Sequence, residues 1–72
     1  MTTNQKSVII ALKNGTMIYL FSNPLMYRLG KLGRFLNWDW CNKMISDGYF
    51  ETTDTISSRW NEFTLTEKGK LL

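Results

Sequence analysis

The segment of residues 37–48 constrains the fold more than any other, because both of its ends carry helix signals. Asn37 is a residue type that accepts hydrogen bonds from the free N–H groups of a first helical turn. Asp39 places negative charge beside the positive end of the helix dipole. Gly48 can adopt the left-handed backbone that follows a helix. The sequence therefore predicts a helix between Asn37 and Gly48.

The two faces of this predicted helix differ in character. One stripe is apolar and recurs at helical spacing, so we expect it to be buried. Its members are Trp40, Cys41, Met44 and Ile45. The other face carries polar or hydrogen-bonding groups, namely Trp38, Asn42, Lys43 and Ser46. A rigid rod with these groups on its solvent side is suited to contacting a partner.

Two predicted strands follow the helix, separated by a polar turn that ends at Arg59. This order of helix, strand, turn and strand resembles the second half of a winged helix-turn-helix domain. In that family the recognition helix ends at a glycine, and a two-stranded wing returns through an aromatic-x-Leu-Thr-x-x-Gly signature. The matching residues are Phe63-Thr64-Leu65-Thr66-Glu67-Lys68-Gly69. The resemblance covers residues 36–72 and implies a small α+β winged-helix-like domain, with short helices and a β-hairpin wing.

A chain of 72 residues allows one domain, which we assign to residues 1–72. Its first segment, residues 5–13, has apolar residues at helical spacing, with Thr3 or Asn4 as the cap. The β-branched run Val8-Ile9-Ile10 leaves a strand as the competing interpretation. The resemblance favours the helix, because winged domains usually open with one.

Residues 16–29 fit the family pattern least well, because a second helix is expected there. Residues 16–21 are rich in Ile, Tyr and Phe and favour a strand. Pro24 can then begin a short helix over residues 24–31, or lie with Asn23 in the turn of a β-hairpin. Both alternatives remain open from the sequence. Gly30 and Gly33 bracket a turn before the predicted helix.

Composition argues against an enzyme and against a metal or other cofactor. The chain has no histidine, so the commonest general base and zinc ligand is missing. Glu51 and Glu62 are expected to be solvated residues of the wing rather than a catalytic pair. The single cysteine, Cys41, reads as a core residue and suits a reducing cytoplasm. No apolar run is long enough to cross a bilayer, so we predict a cytoplasmic protein without a membrane partner.

The net charge of +3 permits binding to nucleic acid or to an acidic protein surface. If the predicted helix enters a major groove, Asn42 would pair with an adenine edge and Lys43 with guanine or phosphate. Backbone phosphates would contact Lys31 and Arg34, and Arg59 would reach from the wing tip toward the backbone or the minor groove. Trp38 completes the candidate interface, although a packed position against residues 16–29 is an equal alternative for it.

Two functions follow from these observations. The first, which the resemblance implies, is a winged-helix protein that binds double-stranded DNA as a small transcriptional regulator, with a homodimer as its expected form. The second is a protein-interaction module on the same scaffold. In size and aromatic content the chain resembles small phage-encoded proteins that inhibit host nucleic-acid machines, anti-CRISPR proteins among them. Its partner would then be a nucleic-acid-handling protein, contacted through Trp38.

Overall fold

A computed structural model describes residues 1–53 and 60–72 and has an α+β fold. A five-stranded antiparallel sheet has the strand order β3-β2-β1-β5-β4. The described elements, in chain order, are α1 (Thr3–Lys13), β1 (Ile18–Ser22), β2 (Leu25–Leu29), β3 (Phe35–Leu36), α2 (Trp38–Ser46), β4 (Phe50–Thr52), β5 (Trp60–Leu65) and a 3-10 helix (Gly69–Leu71). The predicted class, small α+β with short helices and a terminal hairpin, is confirmed.

The first segment is a helix, as the resemblance favoured, but it begins earlier than predicted. Its N-cap is Thr2, whose hydroxyl accepts from the backbone N–H of Gln5 at 3.1 Å. The Gln5 side chain accepts in return from the backbone N–H of Thr2 at 3.0 Å. This reciprocal pair is a capping box, and it satisfies two N–H groups that a helix end leaves free. The predicted caps Thr3 and Asn4 are wrong, because both lie inside α1.

Between β1 and α2 the chain forms strands where a winged domain has its second helix. β1 and β2 pair as an antiparallel hairpin in which Ser22 lies opposite Leu25, with Asn23 and Pro24 in the turn. The predicted alternative, a helix over residues 24–31, is wrong. Gly30, with a φ of +77°, turns the chain toward β3, and the Gly33 N–H donates to the Gly30 carbonyl at 3.3 Å.

The signals at both ends of α2 act as the sequence predicts. The Asn37 side-chain oxygen accepts from the Trp40 N–H at 2.8 Å, which caps the first turn. Gly48 follows the C-cap Asp47 with a φ of +84°, in the left-handed region. The Gly48 carbonyl then accepts from the Thr66 hydroxyl at 2.6 Å, which joins the helix end to the end of β5.

Both helices pack on the same face of the sheet. Opposed residues of antiparallel strands point to one face, and Ile18 lies opposite both Leu29 and Phe63. The buried cluster joins this face to α1 and α2, and its members are Val8, Ile9, Leu12, Ile18, Tyr27, Cys41, Met44, Phe50, Phe63 and Leu65. Residues that alternate with the sheet members of this cluster point away from the helices.

Candidate nucleic-acid interface

Asn42 and Trp38, two of the predicted interface residues, lie against β2. The Tyr27 hydroxyl donates to Oδ1 of Asn42 at 2.5 Å, and the Asn42 side chain is only partly exposed. The Trp38 ring lies on the Tyr27 ring with a centroid separation of 4.9 Å. Trp38 therefore packs on the 16–29 hairpin, the alternative that the sequence left open, while keeping 40% of its surface exposed. The carbonyl oxygen that would read an adenine is already engaged within the protein.

Lys43 is exposed on α2, but its surroundings do not form a basic surface. Asp39 and Asp47 are also exposed, one turn to either side of it. Residues three and four apart on a helix are neighbours, so the solvent face of α2 carries one lysine between two aspartates. A phosphate backbone would meet a net negative charge on this face.

Arg34 is joined to α1 rather than to α2. Its guanidinium donates to the Asn4 carbonyl at 3.2 Å and to the Ser7 hydroxyl at 2.5 Å. It borders an open pocket of about 270 Å³ between the start of α1 and the start of α2, which is lined by Leu36 and Trp40 among others. Its hydrogen bonds hold the loop before β3 against the first helix.

Lys31 extends from the β2–β3 loop toward the opposite side of the sheet from the helices. Its ammonium lies 4.6 Å from the centroid of the Trp60 ring. Arg59, the sixth predicted residue, lies outside the described part of the chain. The structure thus brings Trp38 and Asn42 together on Tyr27, and it places Lys31, Arg34 and Lys43 in three separate environments.

One side of the sheet is not covered by the helices, and the sequence analysis did not predict which residues form it. We call it the outer face, and its members on β1, β2, β3 and β5 are Tyr19, Phe21, Met26, Arg28, Phe35, Trp60, Glu62 and Thr64. The register sets this membership, since each of these residues alternates with a core residue of its strand. Within the described residues, no helix packs on this face.

Three aromatic rings form a cluster at its centre. The centroids of Tyr19, Phe21 and Trp60 lie 6.1–6.2 Å apart in every pairing. These separations are within the range of favourable aromatic contacts. Farther along the face, the Arg28 guanidinium lies 4.7 Å above the ring of Phe35, which is 65% exposed. The outer face therefore combines four aromatic rings with two cations, each cation lying over a ring.

Neither cation is neutralised by an acidic side chain in residues 1–53 and 60–72. Arg28 uses Nε to donate to the Gly33 carbonyl at 3.1 Å, and the one contact of the Lys31 ammonium among the described residues is with the Trp60 ring. The indole N–H of Trp60 is buried and has no hydrogen-bond partner among the described residues. Such a donor typically costs about 1–3 kcal/mol when left unsatisfied.

Glu62 is the acidic residue at the centre of the outer face, beside Glu51 on β4, and the expectation that Glu62 is solvated is wrong. It is only 9% exposed and lies opposite Tyr19 across the β1–β5 pair. Burial raises the pKa of Tyr19, and the charge of Glu62 and its hydrogen bond with the phenol raise it further. Glu51, the other suggested wing carboxylate, lies opposite Thr64 and not opposite Glu62.

The described residues hold no group of three or more His, Cys, Asp and Glu side chains that could bind a metal ion. Cys41 is fully buried, and desolvation raises the pKa of its thiol to about 12. In the part of the chain that the structure covers, neither helix has the length and apolar character to span a membrane.

Comparison of this chain with protein-family models, with curated proteins and with solved structures finds no match.

Proposed function

We propose that this protein is a non-enzymatic nucleic-acid-binding domain of the cytoplasm, built on a modified winged-helix scaffold. One observation carries the proposal, namely the combination of aromatic rings on the outer face with two cations that no acidic side chain of residues 1–53 and 60–72 neutralises. Arg28 and Lys31 supply charge for phosphates, and Phe35 and the central ring cluster supply flat apolar surface. The net charge of +3 favours a polyanion over a neutral or basic partner.

The scaffold part of the proposal rests on element order. A helix opens the chain, and a capped helix ending at Gly48 is followed by a two-stranded hairpin. β1, which follows the first helix, lies beside β5, and β5 lies beside β4. The strand β1 and the hairpin after α2 therefore share one sheet. β2 and β3 occupy the place of the second helix, which is the departure from the family pattern.

Duplex DNA is the target that the family resemblance implies, with α2 as the reading helix and a homodimer as the functional unit. Lys43 is exposed on that helix, whereas the two aspartates beside it and the engagement of Asn42 by Tyr27 count against that geometry. A regulator of this type requires a dimer whose two α2 helices reach half-sites one helical turn apart. Sedimentation of the protein with and without duplex DNA measures whether that dimer forms.

The test of nucleic-acid binding uses random-sequence DNA and RNA, single-stranded and duplex, with fluorescence anisotropy as the readout. We expect at least one form to bind at about 50 mM salt and to bind much more weakly at about 200 mM, because binding releases condensed counterions. Failure of all four forms to bind at the lower salt concentration would contradict the proposal.

A second candidate function is a protein-interaction module, which one observation favours. Trp38 is 40% exposed and is held in place by its contact with Tyr27, as expected for an interface anchor. The exposed aspartates on either side of Lys43 suit a basic protein partner. A one-to-one complex with a nucleic-acid-handling protein that Trp38→Ala abolishes, while Lys31→Ala leaves it intact, would favour this function over the first.

A further inference from the structure

We infer that the outer face is a stacking platform for single-stranded nucleic acid, contacted by bases at its rings and by phosphates at Lys31 and Arg28. This inference rests on the proposed function and specifies its ligand and its surface. It differs from the geometry that the family resemblance implies, in which α2 reads a duplex.

The shape of the outer face suits an unpaired strand better than a duplex. The face is a sheet surface rather than a projecting helix, and adjacent strands lie about 4.8 Å apart, so β3 to β5 spans about 14 Å. A duplex hides the flat sides of its bases within the stack. An unpaired strand can turn two or three bases onto such a surface, because its bases are not held by a complementary strand.

The rings are placed where bases could stack on them. Phe35 is 65% exposed at one edge of the platform, and Phe21 and Tyr19 remain partly exposed at its centre. Every base has a π-face, so stacking on aromatic side chains depends little on sequence. The platform is therefore expected to bind unpaired strands with weak sequence preference.

Charge supports a polyanion as the occupant of the β1–β3 half of the face. Arg28 lies on this half, and Lys31 reaches from the β2–β3 loop to Trp60 at the border with β5; no described acidic side chain forms an ion pair with either. The carboxylates Glu62 and Glu51 lie on the β5–β4 half, and Glu62 is turned toward Tyr19 and largely buried. A nucleic-acid strand that lies over β3, β2 and β1 contacts Arg28 and meets the Lys31 ammonium at the border with β5.

The cation positions suggest how binding proceeds. In the free protein Lys31 lies over Trp60 and Arg28 over Phe35, so each cation occupies a ring face. A base that stacks on the ring takes the place of the cation, which then moves to a neighbouring phosphate.

The test measures binding of labelled oligonucleotides of about 12 nucleotides, a length within the range of single-strand site sizes. The probes are dT and U homopolymers and a mixed-sequence duplex of equal length. We expect both single strands to bind more tightly than the duplex. A preference between dT and U would report whether the 2′-hydroxyl is contacted.

Two variants test the platform directly. Phe35→Ala removes an exposed ring and is expected to weaken single-strand binding about 5- to 150-fold, the range for one stacked base. Lys31→Ala is expected to reduce the slope of log K against log salt by about 0.7. The matched controls are Ile10→Ala and Lys6→Ala, an exposed apolar residue and an exposed lysine of α1, and both should bind as the original protein does. Lys43→Ala on α2 tests the alternative surface. Circular dichroism establishes that each variant is folded.

The possible failures are distinguishable. Binding of the duplex without binding of single strands would overturn the inference and leave the proposed function intact. Single-strand binding that Lys43→Ala weakens while Phe35→Ala and Lys31→Ala do not would also overturn it, because the contact would then lie on α2. Absence of binding to every probe would overturn the inference and the proposed function together.

Discussion

The hydroxyl of Tyr27 donates a hydrogen bond to Oδ1 of Asn42, and this contact fixes the orientation of α2 on β2. Tyr27 is 3% exposed, so its hydroxyl has little access to water and depends on this acceptor. The same Tyr27 ring supports Trp38 one turn earlier in α2. A side chain that the sequence suggested for base recognition thus has a defined structural partner.

Tyr27→Phe is expected to lower the free energy of unfolding by about 1 kcal/mol, because it removes this hydrogen bond and leaves a partly buried Asn42 oxygen without it. Urea unfolding measures the change. Tyr49→Phe is the matched control, since the Tyr49 hydroxyl makes no hydrogen bond among the described residues. Combined with Asn42→Ala, Tyr27→Phe completes a double-mutant cycle. Additive effects in that cycle would contradict a direct interaction between the two residues.

Gly48→Val is expected to lower the free energy of unfolding by about 1–2 kcal/mol, because a β-branched residue is poorly tolerated at a φ of +84°. The cause is backbone strain alone, since a Cβ at Gly48 has no atom within 4 Å. Gly48→Asn should therefore be better tolerated, as asparagine enters the left-handed region more readily. Equal stability of the two variants in thermal unfolding would argue against this cause.

Gly69→Ala is expected to destabilise the fold by more than Gly48→Ala does, for a different reason. A Cβ at Gly69 would overlap the Tyr49 carbonyl oxygen and would lie 2.9 Å from Cδ2 of Leu65. The start of the 3-10 helix and the Tyr49 backbone are too close for any side chain at Gly69, so the backbone must move. Overpacking of this kind costs about 1–3 kcal/mol or more. Thermal unfolding of the two alanine variants, measured side by side, checks the order.

Stability is expected to fall as the pH rises from 9 toward 12, in part because of Cys41. The thiol has an ordinary pKa of 9.0, which burial raises to about 12 in the folded protein. Between these values the unfolded chain releases the thiol proton and the folded chain keeps it, so alkali favours unfolding. The contribution is complete below pH 9 and decreases by up to about 1.4 kcal/mol per pH unit above it.

Cys41→Ala separates this effect from tyrosine ionisation, because burial also raises the pKa values of Tyr19 and Tyr27 and gives the same sign. The variant should lose less stability between pH 9 and pH 12 than the original protein, although it begins from a lower value because a buried sulfur has been removed. Parallel curves of unfolding free energy against pH for the two proteins would contradict the assignment to Cys41.

The sequence predicts α2 well because its signals are local. Asn37 and Gly48 act within one turn of the helix ends, and the apolar stripe includes Cys41 and Met44, which are buried as expected. The start of α1 was misplaced by one or two residues because Thr2, Thr3 and Asn4 are all good caps. The capping box with Gln5 decides among them.

The outer face was not predictable in the same way. Residues 18–21 are all apolar, so period-two alternation gives no sign of which side chains face the core. Only the pairing with β2 and β5 shows that Ile18 faces the core and that Tyr19 faces away from it. The burial of Glu62 and the engagement of Asn42 likewise depend on partners in other elements. Arg28 lay among the basic residues of the sequence, but its position over Phe35 follows from the β2–β3 pairing.

The alternation along β1 has an evolutionary consequence. Ile18 is buried in the core, whereas Tyr19 and Phe21 lie on the opposite face of the sheet. Substitutions at positions 19 and 21 can therefore change the outer face while Ile18 and Leu20 preserve the packing against the helices. In this five-residue strand, the positions that face the core and the positions that face outward can therefore vary almost independently.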